Sequence, residues 1–453
     1  MSHVMCILGT RPEIIKMAPV IKALQSKRNV KLTIVHSGQH YDAELSQFFF
    51  KELDLPRPDL NLRIGSGSHA QQTAQMLMGY EQALHRFQPD IALAEGDTNT
   101  VLAAGLSSVK LRVTFGHVEA GLRCFDRTMP EEINRTIADD CAQLCFAPTD
   151  RSAKNLLREG IAPKRIFVTG NTIVDACRKN LPIARSVSGI LERLGLDRGV
   201  RFALATVHRD ENVANPNRLR RILRGLAKLS DFKVVFPVHP RTKKELRVLG
   251  LDRLIRKARH ILTTKPLGYW DFLRLLDNCQ IVLTDSGGVQ EEALTVGVPC
   301  VTLRYSTERP ETVEAGGNVL VGTEVPLIVG EARRLSEDRR LRDKLRDFQN
   351  PLGDGRAGQR IADICVQRPV SEYGVRSTSY MRDGSAYFRL MRVRRERRVG
   401  WLQEKEPTLT ITKAYDSRGN PVFPEEGLQL RKGWHVETFG QPSELGRLVS
   451  LLS

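Results

Sequence analysis

Twelve short apolar runs, separated by stretches of helical periodicity, constrain this chain more than any single residue does. In the first half they fall at 3–9, 31–37, 90–95, 112–118, 143–148 and 166–170, with helical patterns such as 12–26, 69–87 and 131–142 between them. A long helical connection around 173–195 follows, and the alternation restarts at 201–207, 233–238, 260–264, 279–285, 299–304 and 318–321. Strands that alternate with helices pair in parallel through helical crossovers, and the restart implies a second unit. The fold expected is α/β, with two Rossmann-like doubly wound sheets of about six strands each. The divisions fall at 1–172 and 173–350, with a closing loop and helix over 351–369. Beyond Pro369 the texture changes. Residues 370–453 hold two of the three Trp, a strand-like Leu409–Lys413 and the turn signal Ser417-Arg418-Gly419-Asn420-Pro421, which predicts a small β-containing appendix.

No apolar run approaches the ~20 residues that cross a bilayer. The N-terminal Cys6-Ile7-Leu8-Gly9 runs straight into a turn and is no secretory signal, so a cytoplasmic protein is expected. Eight cysteines stand singly, at 6, 124, 141, 145, 177, 279, 300 and 365, without a C-x-x-C pair. They read as reduced and structural, and no metal site is expected. The formal charge of +17 is read as spread along the chain, since residues 371–453 carry 14 Lys/Arg against 10 Asp/Glu. A spread excess attracts any anion, a nucleotide diphosphate included. With no stacked-aromatic platform or reading helix, nucleic acid is not the expected partner. The basic run Met391-Arg392-Val393-Arg394-Arg395-Glu396-Arg397-Arg398 reads as a solvated face.

Ligands of open parallel sheets bind beyond the carboxyl ends of the strands, and the polar clusters of this sequence lie there. Gly9-Thr10-Arg11-Pro12-Glu13 begins a helix, where Thr10 and Glu13 suit a capping box. Capping leaves Arg11 and Lys16 unexplained, and two cations at a helix N-terminus call for a nearby anion. Glu95-Gly96-Asp97-Thr98-Asn99-Thr100, Gly116-His117-Val118-Glu119-Ala120-Gly121-Leu122-Arg123 and Pro130-Glu131-Glu132-Ile133-Asn134-Arg135 each end in a loop tip. Each has a structural explanation, as a cap or an acidic first turn, yet Asp97, Glu119 and Glu131 together give the convergent carboxylates that acid–base chemistry needs. In the second half Thr206-Val207-His208-Arg209-Asp210-Glu211-Asn212 follows a buried strand, and His239 follows another, where lining a cleft is enough to explain it. Thr284-Asp285-Ser286-Gly287-Gly288-Val289-Gln290-Glu291-Glu292-Ala293 is the most specific motif. Its Ser-Gly-Gly opens backbone N–H groups to phosphate oxygens at a helix start. Thr307-Glu308-Arg309-Pro310-Glu311 offers a second phosphate ligand, Arg309. No G-x-G-x-x-G or Walker A motif is present, against a dinucleotide or ATP.

In this order, over residues 3 to 368, these motifs resemble the non-hydrolysing UDP-N-acetylglucosamine 2-epimerases. The resemblance implies a GT-B arrangement with the active site in the cleft, a UDP-sugar substrate, no cofactor and a homodimer. It also implies that Arg11, Ser286, Gly287, Gly288, Glu292 and Arg309 hold UDP, with Phe272 against the uracil. Lys16, Asp97, Glu119, Glu131 and His208 would surround the sugar and the reacting centre. The implied chemistry inverts C2 by eliminating UDP to a 2-acetamidoglucal and adding it back. Two departures stand out: Leu267 replaces a Gln of some bacterial members, and Gln39-His40-Tyr41-Asp42 differs from the pattern tied to allosteric activation by substrate. The alternatives are a sister epimerase acting on a modified, diacetamido uronic acid sugar, a hydrolysing epimerase, a GT-B glycosyltransferase and a nucleotide-sugar binder. The intact Gly9-Thr10-Arg11-Pro12-Glu13 speaks against hydrolysis.

Overall fold

The computed structural model describes residues 2–39, 43–197 and 199–367, and beyond these 387–392, 397–405, 410–415, 421–422, 428–432, 434–440, 447 and 451. Met1–Tyr373 and Gly374–Ser453 form two compact units.

The first unit contains both parallel sheets. Strands β1 (Ser2–Leu8), β2 (Val30–His36), β3 (Leu60–Asn61), β4 (Ile91–Glu95), β5 (Thr114–Val118), β6 (Leu144–Ala147) and β7 (Ile166–Val168) pair in the order β3-β2-β1-β4-β5-β6-β7. Strands β8 (Phe202–Thr206), β9 (Lys233–Pro237), β10 (Ile261–Thr264), β11 (Ile281–Thr284), β12 (Cys300–Thr302) and β13 (Asn318–Leu320) follow the order β10-β9-β8-β11-β12-β13. All twelve predicted strands are present; the first sheet adds a seventh, the two-residue β3, at its edge. Val4 to Leu8 of β1 and Ile91 to Glu95 of β4 are buried throughout, as strands covered by helices on both faces must be. Strand order reverses beside β1 in one sheet and beside β8 in the other, and crevices open at such points. The loops after β1, β4, β8 and β11 therefore carry the polar motifs to two facing crevices.

The closing helix Ala357–Gln367 returns the chain to the first sheet's layer. Asp175 accepts the N–H groups of Ala357 (3.1 Å) and Gly358 (2.9 Å), which satisfies donors that a helix start leaves open. Gly358 lies so close to the helix Arg11–Gln25 that a Cβ would stand 2.7 Å from the carbonyl carbon of Pro19. Lys27 of that side pairs with Asp363.

The charge is not spread as expected. Residues 216–260 carry 14 Lys/Arg against 3 Asp/Glu. This stretch folds as the helices Pro216–Ala227, Pro240–Val248 and Asp252–Lys257 around the β9–β10 edge. Its apolar residues, Leu219, Ile222, Leu223, Leu226 and Leu246, face the core, which leaves the cations for solvent.

The second unit has a four-stranded antiparallel sheet of Tyr387–Arg392, His435–Gly440, Thr410–Tyr415 and Pro421–Val422, in that spatial order. A two-stranded ladder, Arg397–Arg398 with Gln429–Leu430, and the helix Val399–Lys405 complete its described part. The predicted strand at 409–413 appears as Thr410–Tyr415. The turn Ser417 to Asn420 and residues Val393 to Glu396 of the basic run lie outside the described residues. Among the described residues no helix is long and apolar enough to cross a membrane. All eight cysteines are unpaired, six of them buried.

Candidate active site

The loop after β1 is organised by Glu13. Its Oε2 accepts the N–H groups of Gly9 (2.5 Å) and Thr10 (3.0 Å), and its Oε1 accepts the Thr98 hydroxyl (2.5 Å) from the loop after β4. Burial pushes this carboxyl up to about 7. Glu13 thus performs the capping, and Arg11 is left for the cleft. The Arg11 guanidinium lies 5.1 Å over the Phe49 ring and 5.9 Å over Phe272, and donates to the Leu267 carbonyl at 3.2 Å. That bond uses backbone alone, so the Leu at 267 costs it nothing. Phe272 is buried in the core beneath Arg11. Gln39 meets Thr100 (3.1 Å) and Gln72 (3.4 Å); His40, Tyr41 and Asp42 lie outside the described residues.

Lys16 turns inward, to the protein's own anions. Its Nζ is 2.6 Å from Glu119 Oε1, 3.2 Å from Glu95 Oε1 and 3.6 Å from Glu291 Oε2. Burial works against the ammonium, but these three carboxylates outweigh it and hold it charged beyond the ordinary lysine range. Glu119 has φ +71°, a left-handed backbone that a non-glycine residue adopts only under constraint. There its carboxylate bridges Lys16 and Arg309 Nη2 (3.3 Å). Burial would raise its pKa, yet the two cations bring it down to about 2.

Asp97 pairs with Arg135 of the helix Pro130–Cys141, and Arg135 Nη1 also binds Glu132 at 2.5 Å. Burial opposes ionisation of Asp97, but Arg135 and Arg209 lower it below the usual carboxylate range. Glu131, half-buried in that helix's first turn, accepts Arg209 Nη1 at 3.0 Å.

On the opposite rim buried Asp285 shapes the loop after β8, accepting the N–H groups of His208 (3.0 Å) and Arg209 (3.0 Å) and the Asn212 amide (3.1 Å). Burial, with Arg209, Arg11, Arg241 and Arg304 around it, pushes His208 down to about 3. Its imidazole is therefore neutral near pH 7 and offers a polar contact rather than a charge. His239 stands beside it, ring centroids 5.8 Å apart, and caps the helix Pro240–Val248. Ser286 opens the helix Gly287–Val296, with its hydroxyl making no capping bond. A Cβ at Gly287 would lie 2.6 Å from Glu308 Oε1; a Cβ at Gly288 would meet no described atom within 4 Å. Gly287 answers to the protein's packing, and Gly288 borders open space. Glu292 lies near Tyr269 and Arg11; burial pushes it up to about 7, against the opposing pull of Arg11. Arg309 sits among Glu291, Glu119 and, 3.9 Å from Nη1, Glu308. Among the described residues its buried Nη1 has no hydrogen-bond partner.

Lys16–Glu291, Arg309–Glu119 and Arg209–Glu131 join the two rims, as do Thr149 to Glu311 (2.7 Å) and Glu52 to the Tyr269 N–H (2.7 Å). The acidic loop tips and the Ser-Gly-Gly junction thus face one another. Glu95, Glu291, Arg135, Arg209, Arg304 and Glu308 belong to this network although the sequence motifs leave them without a role. Glu95 and Arg304 give one signal, a charge at the end of an apolar run, as in Ile91-Ala92-Leu93-Ala94-Glu95; the other four give none. Among the described residues no group of His, Cys, Asp and Glu is arranged to hold a metal ion. The site offers carboxyl groups in contrasting protonation states beside converging cations, which suits proton transfer next to a leaving anion.

A family model described as UDP-N-acetylglucosamine 2-epimerase matches residues 22–366. The UDP-N-acetylglucosamine 2-epimerase of Methanocaldococcus jannaschii is 46% identical over 364 residues, covering 79% of this chain and 97% of its own length. The UDP-2,3-diacetamido-2,3-dideoxy-D-glucuronate 2-epimerase of Pseudomonas aeruginosa is 39% identical over 80% of this chain and 99% of its own. The fold is similar to the crystal structure of the M. jannaschii UDP-GlcNAc 2-epimerase in complex with UDP-GlcNAc and UDP, with TM-score 0.76 and 45% identity over 80% of this chain and 99% of that one.

Proposed function

The chain belongs to the UDP-N-acetylglucosamine 2-epimerase family, and from that membership we propose that it interconverts UDP-N-acetylglucosamine and UDP-N-acetylmannosamine by eliminating and re-adding UDP. The observation that carries the proposal is that Glu119 and Glu131 pair with Arg309 and Arg209 of the opposite rim, and that Glu308, bound to the same Arg209, stands against Gly287 of the Ser286-Gly287-Gly288 junction.

The C2 proton has no adjacent carbonyl to acidify it. Breaking the anomeric C1–O bond supplies what is missing, because positive character at C1 acidifies the C2–H. UDP leaves with the bonding electron pair, a carboxylate takes the C2 proton, and a 2-acetamidoglucal remains. A proton delivered to the opposite face of C2 and attack of UDP on C1 complete the inversion. Asp97 and Glu131 are assigned the two proton transfers. Asp97, held ionised by Arg135, suits the base. Arg11, the unpartnered Nη1 of Arg309 and the N–H groups at Ser286, Gly287 and Gly288 suit the departing diphosphate. Glu292 is assigned to the ribose, Phe272 to the uracil side, and Lys16, Glu119 and neutral His208 to the sugar. The sequence is redox-neutral and calls for no cofactor. Apart from Arg11 and His208, which reach across, sugar chemistry belongs to residues 1–172 and UDP to 173–350 in this proposal, which also takes the protein as cytoplasmic and, on the family resemblance, as a homodimer.

A second reading, the same inversion on a UDP-2,3-diacetamido-2,3-dideoxy-glucuronate, is favoured by the Pseudomonas aeruginosa relative. Incubating the protein in D2O with either UDP-sugar tests both. Deuterium at C2 of an intact UDP-sugar is expected; free sugar would mean hydrolysis, and no exchange with either would sink the proposal. Asp97→Asn and Glu131→Gln are each expected to slow exchange by roughly 100-fold or more, the scale of a lost acid or base.

A further inference from the structure

Glu95 closes β4, is 1% exposed, and takes no part in the steps above. It shares the Lys16 ammonium with Glu119 and Glu291, at 3.2, 2.6 and 3.6 Å respectively. Glu95 Oε1 lies outside hydrogen-bonding geometry toward that ammonium. Glu95 and Glu119 thus stand side by side on one ammonium, where their carboxyl groups can share a hydrogen bond. An ionised carboxylate only accepts, so such a bond requires one of the two to carry a proton. The charge count agrees. Lys16 and Arg309 offer two positive charges to Glu95, Glu119 and Glu291, and a third buried anion would stand uncompensated. Glu119 has both cations; Glu291, which burial also raises, to about 7, has no hydrogen-bond partner at Oε2 among the described residues but keeps Arg309 and the Asn171 amide (2.7 Å) at Oε1. Glu95 has the poorest set of donors.

Resting on the epimerase reading of this site, we propose that Glu95 is held as the neutral acid and donates its proton to Glu119, a positioning residue that keeps Glu119 ionised and fixed beside Lys16 during turnover. The groups that face it are Lys16 and Glu13 from the helix Arg11–Gln25, Glu119 from the loop after β5, Glu291 from the helix Gly287–Val296, and Arg309 through Glu119 and Glu291. Burial raises the Glu95 carboxyl well above its ordinary range, and the like charges of Glu119 and Glu13 add to this against Lys16. No proton leaves the pair: it stays on Glu95, shared with Glu119 only as the donor of one O–H···O bond.

Glu95→Gln preserves an uncharged donor and Glu95→Leu removes it. The Gln variant is expected to keep kcat within about 3-fold of wild type near pH 7 and to lack the alkaline fall in kcat that ionisation of Glu95 produces; the Leu variant should lose roughly 30-fold in kcat with KM little changed, the scale of a buried charge left without its donor. An infrared difference spectrum, wild type minus Glu95→Gln, should carry the C=O band of a protonated carboxyl at neutral pH, and this readout needs neither turnover nor a folded Leu variant. Ionised-carboxylate bands in that spectrum, or a folded Gln variant as slow as Leu, would overturn the proposal. Absence of epimerisation by the wild-type protein would instead sink the epimerase reading and leave the infrared result standing.

Discussion

Two neighbouring glycines at the Ser286 junction are glycine for different reasons. At Gly287 a Cβ would stand 2.6 Å from Glu308 Oε1, and Glu308 has little freedom to withdraw because Arg304 (2.8 Å) and Arg209 (3.1 Å) hold it. Gly287→Ala should therefore destabilise the fold by about 1–3 kcal/mol, as overpacking does. At Gly288 a Cβ meets no described atom, so the folded chain tolerates it and only a diphosphate approaching the backbone would notice. Gly288→Ala should leave Tm unchanged while KM for the UDP-sugar rises roughly 10-fold, the effect of about 1.4 kcal/mol of lost binding; an unchanged KM would move the diphosphate elsewhere. His208 allows a pH test. With a folded pKa of about 3, it stays neutral while the unfolded chain protonates below its ordinary value of 6.5, so native stability falls as pH drops through that window. His208→Gln removes this term, and its Tm relative to wild type should rise steadily from pH 7 to pH 5; a constant difference would contradict the assignment. Loop-tip residues such as Asp97, Glu119 and Ser286 were legible because strand ends announce them. Their partners were not: Arg135 to Asp97, and Arg309 to Glu291 and Glu119, are pairings made by the fold across separate motifs, and one of them depends on a left-handed backbone at Glu119.

At the level of elements, what was legible followed from length and burial. Helical patterns at 12–26, 69–87 and 131–142 became Arg11–Gln25, His69–Phe87 and Pro130–Cys141, because caps and first-turn prolines mark their starts. β3 escaped, since two residues carry no alternation to detect. The closing helix was anticipated as an element, whereas its docking was not: Asp175 caps it from the helix Thr172–Val187, and Gly358 rests on Pro19. Replacing Gly358 puts new atoms against backbone rather than against a movable side chain, so relief requires the two helices to part. Gly358→Val should accordingly cost about 1–3 kcal/mol, whereas Asp175→Ala, which removes only the cap, should cost about 1 kcal/mol. Denaturant midpoints of the two variants give the comparison. A Gly358→Val protein as stable as wild type would mean that the helix does not pack as described.

For the whole molecule, the concentration of cations over residues 216–260 changes what a net charge of +17 does. A charge spread evenly around the chain attracts anions from all sides, whereas one gathered on three helices gives the field a direction. One of those helices, Pro240–Val248, starts at His239, beside His208 in the cleft, and exposes Lys243, Lys244 and Arg247. A diphosphate approaching this rim meets a positive field before it meets Arg11 or Arg309. The ion pairs inside the cleft are buried and little screened, but charges in solvent act only over about 10 Å at 0.1 M salt. Salt should thus raise KM for the UDP-sugar several-fold between about 0.02 and 0.2 M while kcat stays level, because the field acts on arrival and the buried network on the chemistry. Reversing Lys243, Lys244 and Arg247 together to Glu should raise KM at low salt and flatten its salt dependence, with Tm close to wild type since all three are exposed. A KM equally salt-sensitive in wild type and triple variant would assign the attraction to the cleft arginines alone.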